Sequence, residues 1–518
     1  MMQKLPIGIS SFSEIRKADY VYVDKTALIE RLVANGRYYF LSRPRRFGKS
    51  LLVDTLKSLF EGDEALFRGL AIHSRWDWKN PYPVINMTFN DGVYSNHEQL
   101  EQRIQQQLQQ QAQRLNITLP SSNDSAFLFA YLIEQVQQTH QQAVVVLIDE
   151  YEKPILDQIH HAEQAVALRD GLKNLYSVLK GRDALLRFVL LTGVSKFSHV
   201  SLFSGLNNLN DITLDSRYSA LCGYTQQDLE QHFDTHLGDA NKTQIRQWYN
   251  GYNWLGESVY NPFDILLFID KGLQFRSYWF ETATPSFLMT LLKSGNYYLP
   301  DLEHFEIQES GLSSMDVDNI PIEVLLFQTG YLTIQNTVQI GNQLGFVLGY
   351  PNLEVKLSLT THLLNYLTPT NSRAALISLQ LYRHLANEKL ELMRDLLKRF
   401  FASIPHQWYR NNHIDQYEGY YASVFYAHMV ASGATTIPED VTSQGQIDLT
   451  VMVDDLVFIF EFKVIDAEQG NGSALAQIQT RHYAEKYQDG RKLYLVGIEF
   501  SKQTRNIVGF AWVNEMPS

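Results

Sequence analysis

One cysteine, Cys222, in 518 residues excludes an intrachain disulfide and any cysteine-based metal cluster, and it fits a reducing cytoplasm. The fifteen histidines lack H-E-x-x-H or H-x-H spacing, so no zinc site is expected. Long apolar runs are missing too, and Met1-Met-Gln-Lys-Leu-Pro carries no signal-peptide core. A soluble protein without membrane contact is the expectation. Nor is there an excess of basic charge. The formal net charge of −12 argues against a general nucleic-acid coat, but not against a local basic groove with a bridging metal. What is present is apolar mass, 45% hydrophobic with 29 Tyr and 28 Phe. The chain is too long for one ordinary domain.

Leu456-Val-Phe-Ile-Phe-Glu-Phe-Lys-Val464 reads as a strand holding an acid and a lysine two residues apart. Strand side chains alternate faces, so Glu461 and Lys463 share one side, while Phe460 and Phe462 take the other. Charged groups in a half-buried strand are costly unless paired or metal-bound. Gly445 to Val453 reads as the preceding strand, bearing Asp448, with Asp454-Asp455 as the turn. Tyr417–Tyr426 reads as a helix carrying Glu418, and Ala474–Ala484 as one carrying Gln477 and Tyr483. An isolated acid-x-lysine is commonly an exposed ion pair, but here three further polar residues surround it. Asp448 and Glu461 can hold Mg²⁺ with several waters, Glu418 being a third ligand directly or through water. The ion would acidify a bound water. Lys463 would orient that water or steady developing charge, and Gln477 would position lysine, water or substrate.

The first seventy residues run against the overall charge, with twelve Lys/Arg against eight Asp/Glu. Arg37 to Ser42 reads as a strand, Arg43-Pro-Arg-Arg-Phe-Gly-Lys-Ser50 as a loop, and the following residues as an amphipathic helix with Leu51, Leu52, Leu56, Leu59 and Phe60 inward. This is P-loop order, with Arg43 where the first glycine usually stands. Backbone N–H groups around Gly48 would attract phosphate. Lys49 would reach the β/γ-phosphates of ATP, the Ser50 hydroxyl would ligate Mg²⁺, and Arg45 and Arg46 are candidates for phosphate contact. Ala143 to Glu150 is a buried-strand run ending in two acids. Asp149 would hold the Mg²⁺ shell through water, and Glu150 would polarise the attacking water. Pro83–Phe89 and Leu186–Gly193 supply further strands. Thr192 stands where a γ-phosphate sensor is often found. Glu98 to about Leu115 reads as a solvated glutamine-rich helix, Arg217 as a surface ion-pair residue, and Trp248–Tyr252 as packing.

Asp448…Glu461-x-Lys463, between the two helices, resembles the signature of the PD-(D/E)xK nuclease superfamily. Leu5 to Ser10, Tyr22 to Thr26, Arg43 to Ser50, Leu147 to Pro154, Leu191 to Ser195, Trp248 to Tyr252 and Tyr260 to Pro262 together resemble the bacterial AAA-ATPase-like family. Arg43 is that family's own pattern, whereas Gln446 departs from its common Gly-Arg-Ile-Asp. The resemblance implies an α/β protein with three parts. These are a P-loop parallel-sheet domain (1–222), a helical lid and connector (223–400) and a restriction-endonuclease-like α/β domain (401–518). It also implies ATP and Mg²⁺ as cofactors and nucleic acid, DNA favoured, as partner. A homo-oligomer stays open, because P-loop ATPases of this kind often borrow a residue from a neighbour. The function expected is ATP hydrolysis coupled to Mg²⁺-dependent phosphodiester cleavage. Two rivals stay open: a nucleotide switch whose nuclease-like domain binds nucleic acid without cutting, and a nuclease whose P-loop binds nucleotide only structurally.

Overall fold

Four apolar segments and a short polar fifth pair in parallel to build the first sheet. They are β1 (Tyr38–Ser42), β2 (Val84–Thr88), β3 (Val144–Asp149), β4 (Leu186–Gly193) and the short β5 (Asn210–Asp211), in the order β2-β3-β4-β1-β5. The computed structural model describes residues 2–196, 202–203, 206, 208–280, 298–312, 321–367, 374–404, 418–442, 445–487 and 490–515. β1, β3 and β4 are buried nearly throughout, which explains why they read as continuous apolar runs. The order inserts β4 between β1 and β3. Register then sets Leu41 beside Thr192, and Ile148 beside Leu191. Ser42, Thr192 and Asp149 therefore lie at the carboxyl ends of three adjacent strands, where open α/β sheets bind ligands. Helix α1 (Lys49–Phe60) leaves the loop after β1 and buries Leu52, Val53, Leu56, Leu59 and Phe60.

The glutamine-rich segment forms α2 (His97–Arg114), which is amphipathic rather than fully solvated: Leu100, Ile104, Leu108 and Ala112 are buried. Its glutamines have a job. Gln107 and Gln111, one turn apart, accept from the backbone N–H groups of Thr88 and Asn86 at 2.9 and 3.3 Å. They occupy donors that the edge strand β2 would otherwise present to another chain. α3 (Ser125–His140) and α4 (Ala162–Gly181) pack with α2.

α5 (Gln226–Leu237) starts at a capping box, with Thr225 and Asp228 each satisfying the other's backbone N–H. α6 (Lys242–Tyr249) and α7 (Pro262–Asp270) follow. These helices share a core with Val21 and Val23 of the N-terminal segment through Leu229, Phe233, Ile245, Tyr249 and Ile265, and Lys25 pairs with Asp228 at 2.5 Å. Further on, β6 (Phe305–Gln308), β7 (Thr333–Ile340) and β8 (Gln343–Gly349) form a small sheet in the order β6-β8-β7.

The chain clusters into two compact units, Met1–Leu288 with Glu306–Leu353, and Met289–Phe305 with Glu354–Ser518. Thus α5–α7 and β7–β8 fall in the unit of the first sheet, and residues 354–400 in the C-terminal unit. There, α8 (Ala374–Ala386) and α9 (Leu390–Ala402) are parted where Glu388 takes φ +55°. α10 (Glu418–Ala431) precedes the second sheet. That sheet contains β9 (Thr435–Thr442), β10 (Gly445–Val453), β11 (Leu456–Ile465), β12 (Lys492–Ser501) and β13 (Ile507–Glu515), in the order β13-β12-β11-β10-β9. β10 and β11 form the hairpin expected, with Asp454 at φ +52° in its turn. β11 and β12 run parallel, which demands a crossover, and α11 (Ser473–Thr480) lies in it.

Candidate functional sites

At the N-terminal site the loop curls around its own lysine. Lys49 Nζ donates to the carbonyls of Arg43 and Pro44 at 2.8 and 3.0 Å. Gly48 has φ +92°, a conformation costly for any side-chain-bearing residue even though nothing crowds it. Ser50 Oγ donates to Asp149 Oδ2 at 2.6 Å, and Thr192 Oγ1 to Asp149 Oδ1 at 2.5 Å. Asp149 and Thr192 are buried beneath Ser50. A cavity of about 510 Å³ opens over the loop, lined by Arg45, Arg46, Gly48, Lys49, Ser50 and Glu150. Ile9, Val23, Tyr224, Pro262, Phe263 and Leu266 also line it, apolar surface suited to a flat ring. Arg46 and Glu150 both hold positive φ, +69° and +55°. Non-glycine residues in that region cost roughly 1–3 kcal/mol each and cluster at ligand sites.

Arg43 does something else. Its guanidinium is fully buried and turned away from the loop, donating to Ser42 O, Thr213 O and Tyr218 O. It stacks over Trp254 at 4.1 Å, a ring also met edge-on by Phe47 at 5.4 Å. Burial draws its pKa down to about 10, still leaving it charged at neutral pH. The residue standing in for the usual glycine is thus an internal strut under the loop. Arg46 lies over the Phe263 ring at 4.8 Å. Arg217 pairs with Asp215 on the surface, as its sequence context suggests.

Burial raises the pKa of Glu150, with Asp149 adding to the rise and Lys49 opposing it, which suits a carboxylate that takes a proton from water. Sequence reasoning passed over Glu152. It is 1% exposed, accepts from Val194 N at 2.6 Å and Ser195 N at 2.9 Å, and is pushed up to about 7 by burial. It locks the chain just after Thr192, and nothing in the Asp-Glu-Tyr-Glu run distinguishes it from a surface acid.

In the second unit, alternation along β11 holds. Phe460 and Phe462 pack on Phe425 of α10 at 4.9 and 5.1 Å, while Glu461 and Lys463 meet α11. Gln477 Nε2 donates to Glu461 Oε1, and Lys463 Nζ donates to Ser473 O at 3.3 Å. Asp448 Oδ2 accepts from Phe462 N at 2.7 Å. Its carboxylate therefore lies between the two strands, just past the last ladder pair, Leu449–Phe460. So Asp448, Glu461, Lys463 and Gln477 converge. α10 begins at Glu418, whose side chain lies outside the described residues. Glu499, two residues along β12 from Gly497, fixes α11 from beneath. Its carboxylate takes the N–H groups of Asn471, Gly472 and Ala474 and the Ser473 hydroxyl. Burial alone would raise its pKa, but these donors bring it below the ordinary glutamate value.

Comparison with known proteins agrees with this geometry. A family model described as "Predicted AAA-ATPase" matches residues 6–203, and one described as "PD-(D/E)XK nuclease superfamily" matches residues 416–510. A protein of Azotobacter chroococcum mcd 1, described as "Uncharacterized protein in vnfD 5'region", is 50% identical over 510 residues, 98% of each chain. The chain belongs to the AAA-ATPase-like family and carries a C-terminal PD-(D/E)XK nuclease superfamily domain. No solved structure matches it.

In this AAA-ATPase-like chain both candidate metal sets are sparse. Among the described residues no group of three or more His, Cys, Asp or Glu is placed to hold an ion. The donors that do converge are hard oxygens, Ser50 with Asp149 in one unit and Asp448 with Glu461 in the other. Such sets fit Mg²⁺, which keeps most of its waters and takes one or two carboxylates. Among the described residues no helix is long and apolar enough to cross a membrane.

Proposed function

We propose that the protein binds and hydrolyses ATP at the loop of residues 43–50, and that this activity is coupled to Mg²⁺-dependent phosphodiester cleavage, of DNA before RNA, at Asp448, Glu461 and Lys463. The observation that carries the reading is that Asp448 sits on the β10–β11 seam at Phe462 N, between Glu461 and Lys463, whose side chains meet Gln477 and Ser473 of α11. In the first unit, Lys49 exchanges the Arg43 and Pro44 carbonyls for phosphate oxygens. Ser50 and Asp149 hold the magnesium, Glu150 accepts the proton of the attacking water, and Thr192 keeps Asp149 oriented. Arg45 and Arg46 face the same cavity and neutralise phosphate charge. In the second unit, Asp448 and Glu461 hold the ion, with Glu418 at the start of α10 as a further candidate. Magnesium there supplies Lewis acidity and a more acidic water. Lys463 stabilises charge developing on the phosphate, and Gln477 holds Glu461 in place.

A switch that binds nucleic acid without cutting it remains the second reading. It is favoured by the intramolecular bonds that Asp448 and Glu461 make to Phe462 N and Gln477. One experiment separates the two: ATP turnover and cleavage of several DNAs and RNAs in Mg²⁺, for the wild type, Lys49→Ala and Glu461→Ala. Lys49→Ala is expected to cut ATP turnover by about 10²-fold or more, and Glu461→Ala to remove cleavage while sparing turnover. Cleavage unchanged in Glu461→Ala would discard the catalytic assignment, and binding without cleavage in the wild type would favour the switch.

A further inference from the structure

A site that cuts a polyanion inside a chain of net charge −12 needs cations beside its carboxylates. Lys463 is one. Lys486 is committed to Asp440, and the Gln446 side chain turns to the Glu439 carbonyl at 3.3 Å. A second cation comes from the far end of α11. Ser473, Gln477 and Arg481 follow at intervals of four, so they rise on one helix face. Lys463 contacts the first of these residues through its carbonyl, and Glu461 contacts the second. Arg481 ends the helix one turn further on, exposed to solvent. A Cβ built on Gly445 would sit 3.4 Å from Arg481 Nη1 and 3.1 Å from the Tyr483 hydroxyl. The guanidinium and the phenol therefore flank the start of β10, three residues before Asp448. Gly445 has φ +148°, so this stretch favours a residue without a side chain. Tyr483 senses the charges of Glu461, Arg481 and Asp448 together, burial raising its pKa first and the two carboxylates adding to the rise.

We propose that Arg481, with the Tyr483 hydroxyl beside it, binds a backbone phosphate of the nucleic acid next to the scissile one, and so lays the strand across Asp448, Glu461 and Lys463. The inference rests on the nuclease reading of that site. Arg suits the role because its planar fork meets two phosphate oxygens at once, and it remains charged throughout. A contact of this kind adds affinity without sequence preference.

The test measures binding of full-length protein to fluorescein-labelled duplex and single-stranded DNA across a salt series, in a Glu461→Gln background with Mg²⁺, with cleavage followed in the wild-type background. Losing one phosphate contact lowers the slope of log K against log salt by about 0.9 on duplex, or about 0.7 on single strands. On duplex this corresponds to roughly eightfold weaker binding at 0.1 M salt, referred to 1 M. Arg481→Ala is expected to show that loss equally on unrelated sequences, and to raise KM for cleavage more than it lowers kcat. Arg481→Lys should restore the slope but only part of the affinity, and Tyr483→Phe should weaken binding with the slope intact. If wild-type protein binds and cuts while Arg481→Ala has an unchanged slope and affinity, the inference fails and the nuclease reading stands. Cleavage surviving Glu461→Ala removes the catalytic assignment of Asp448, Glu461 and Lys463 on which the inference rests, and overturns the inference with it. Absence of all nucleic-acid binding overturns both.

Discussion

Arg43 and Glu152 are charged residues used as internal structure on either side of the phosphate loop. Arg43 ties three carbonyls beneath the loop and stacks on Trp254. Restoring the glycine more usual at this position leaves Tyr218 O its bond from Leu221 N but takes the guanidinium donor from Ser42 O and Thr213 O in a dry interior, each at about 1–3 kcal/mol. Arg43→Gly is therefore expected to lower stability by roughly 2–5 kcal/mol, read as a fall in the denaturant midpoint, and to weaken ATP binding. A midpoint equal to wild type would show that the strut carries no weight. Glu152 predicts a pH effect of definite sign. Its folded pKa of about 7 stands above the ordinary 4.5, so between those values the folded protein holds more protons than the unfolded chain. Stability then falls as pH rises through that window, and the penalty is complete above it. Gln keeps the acceptor for Val194 N and Ser195 N but carries no charge. Glu152→Gln should melt higher than wild type at pH 8, by an amount worth at most about 3 kcal/mol, and lose that advantage near pH 4.5. A constant difference across the range would contradict the burial argument.

Among the elements, α11 sets the nuclease-like site. It approaches β12 so closely that a Cβ on Gly497 would lie 2.3 Å from Leu475 N. Gly497→Val should push the helix outward, parting Gln477 from Glu461, and reduce cleavage by about 10–100-fold, the range seen when a supporting contact to a ligand is lost. ATP turnover is measured alongside and should be unchanged, since the substitution lies in the other unit. The strands and helices bearing the candidate residues were legible because their patterns are local. β11 shows period-two alternation, and β3 and β4 are unbroken apolar runs. α2 was only half legible. Its length followed from pattern, but the service of Gln107 and Gln111 to β2 depends on a neighbour 19 to 25 positions away.

For the whole molecule, two compact units with separate cores should unfold as more than one transition. Saturating ATP is expected to raise the transition of the unit that holds Lys49, by about 2.7 kcal/mol at 100-fold over its Kd, and to leave the other in place. Calorimetry with and without ATP, beside Lys49→Ala, checks this. Equal stabilisation of both transitions would mean that the units unfold as one.

The amino-acid sequence alone put forward the candidates for chemistry. Gly48-Lys49-Ser50, Asp149-Glu150 and Glu461-x-Lys463 are each local patterns set by a loop or by strand alternation, and the β10–β11 hairpin adds Asp448. Only tertiary structure decided how those groups are held. Arg43 turns inward because Thr213, Tyr218 and Trp254 close around it, Glu152 is pushed toward neutrality by burial, against the opposing strand-end N–H groups, and Arg481 reaches the start of β10 because α11 packs across β11 and β12. Such roles arise from contacts between segments far apart in the chain, and the desolvation that shifts a charge or fixes a guanidinium exists only once those segments have packed.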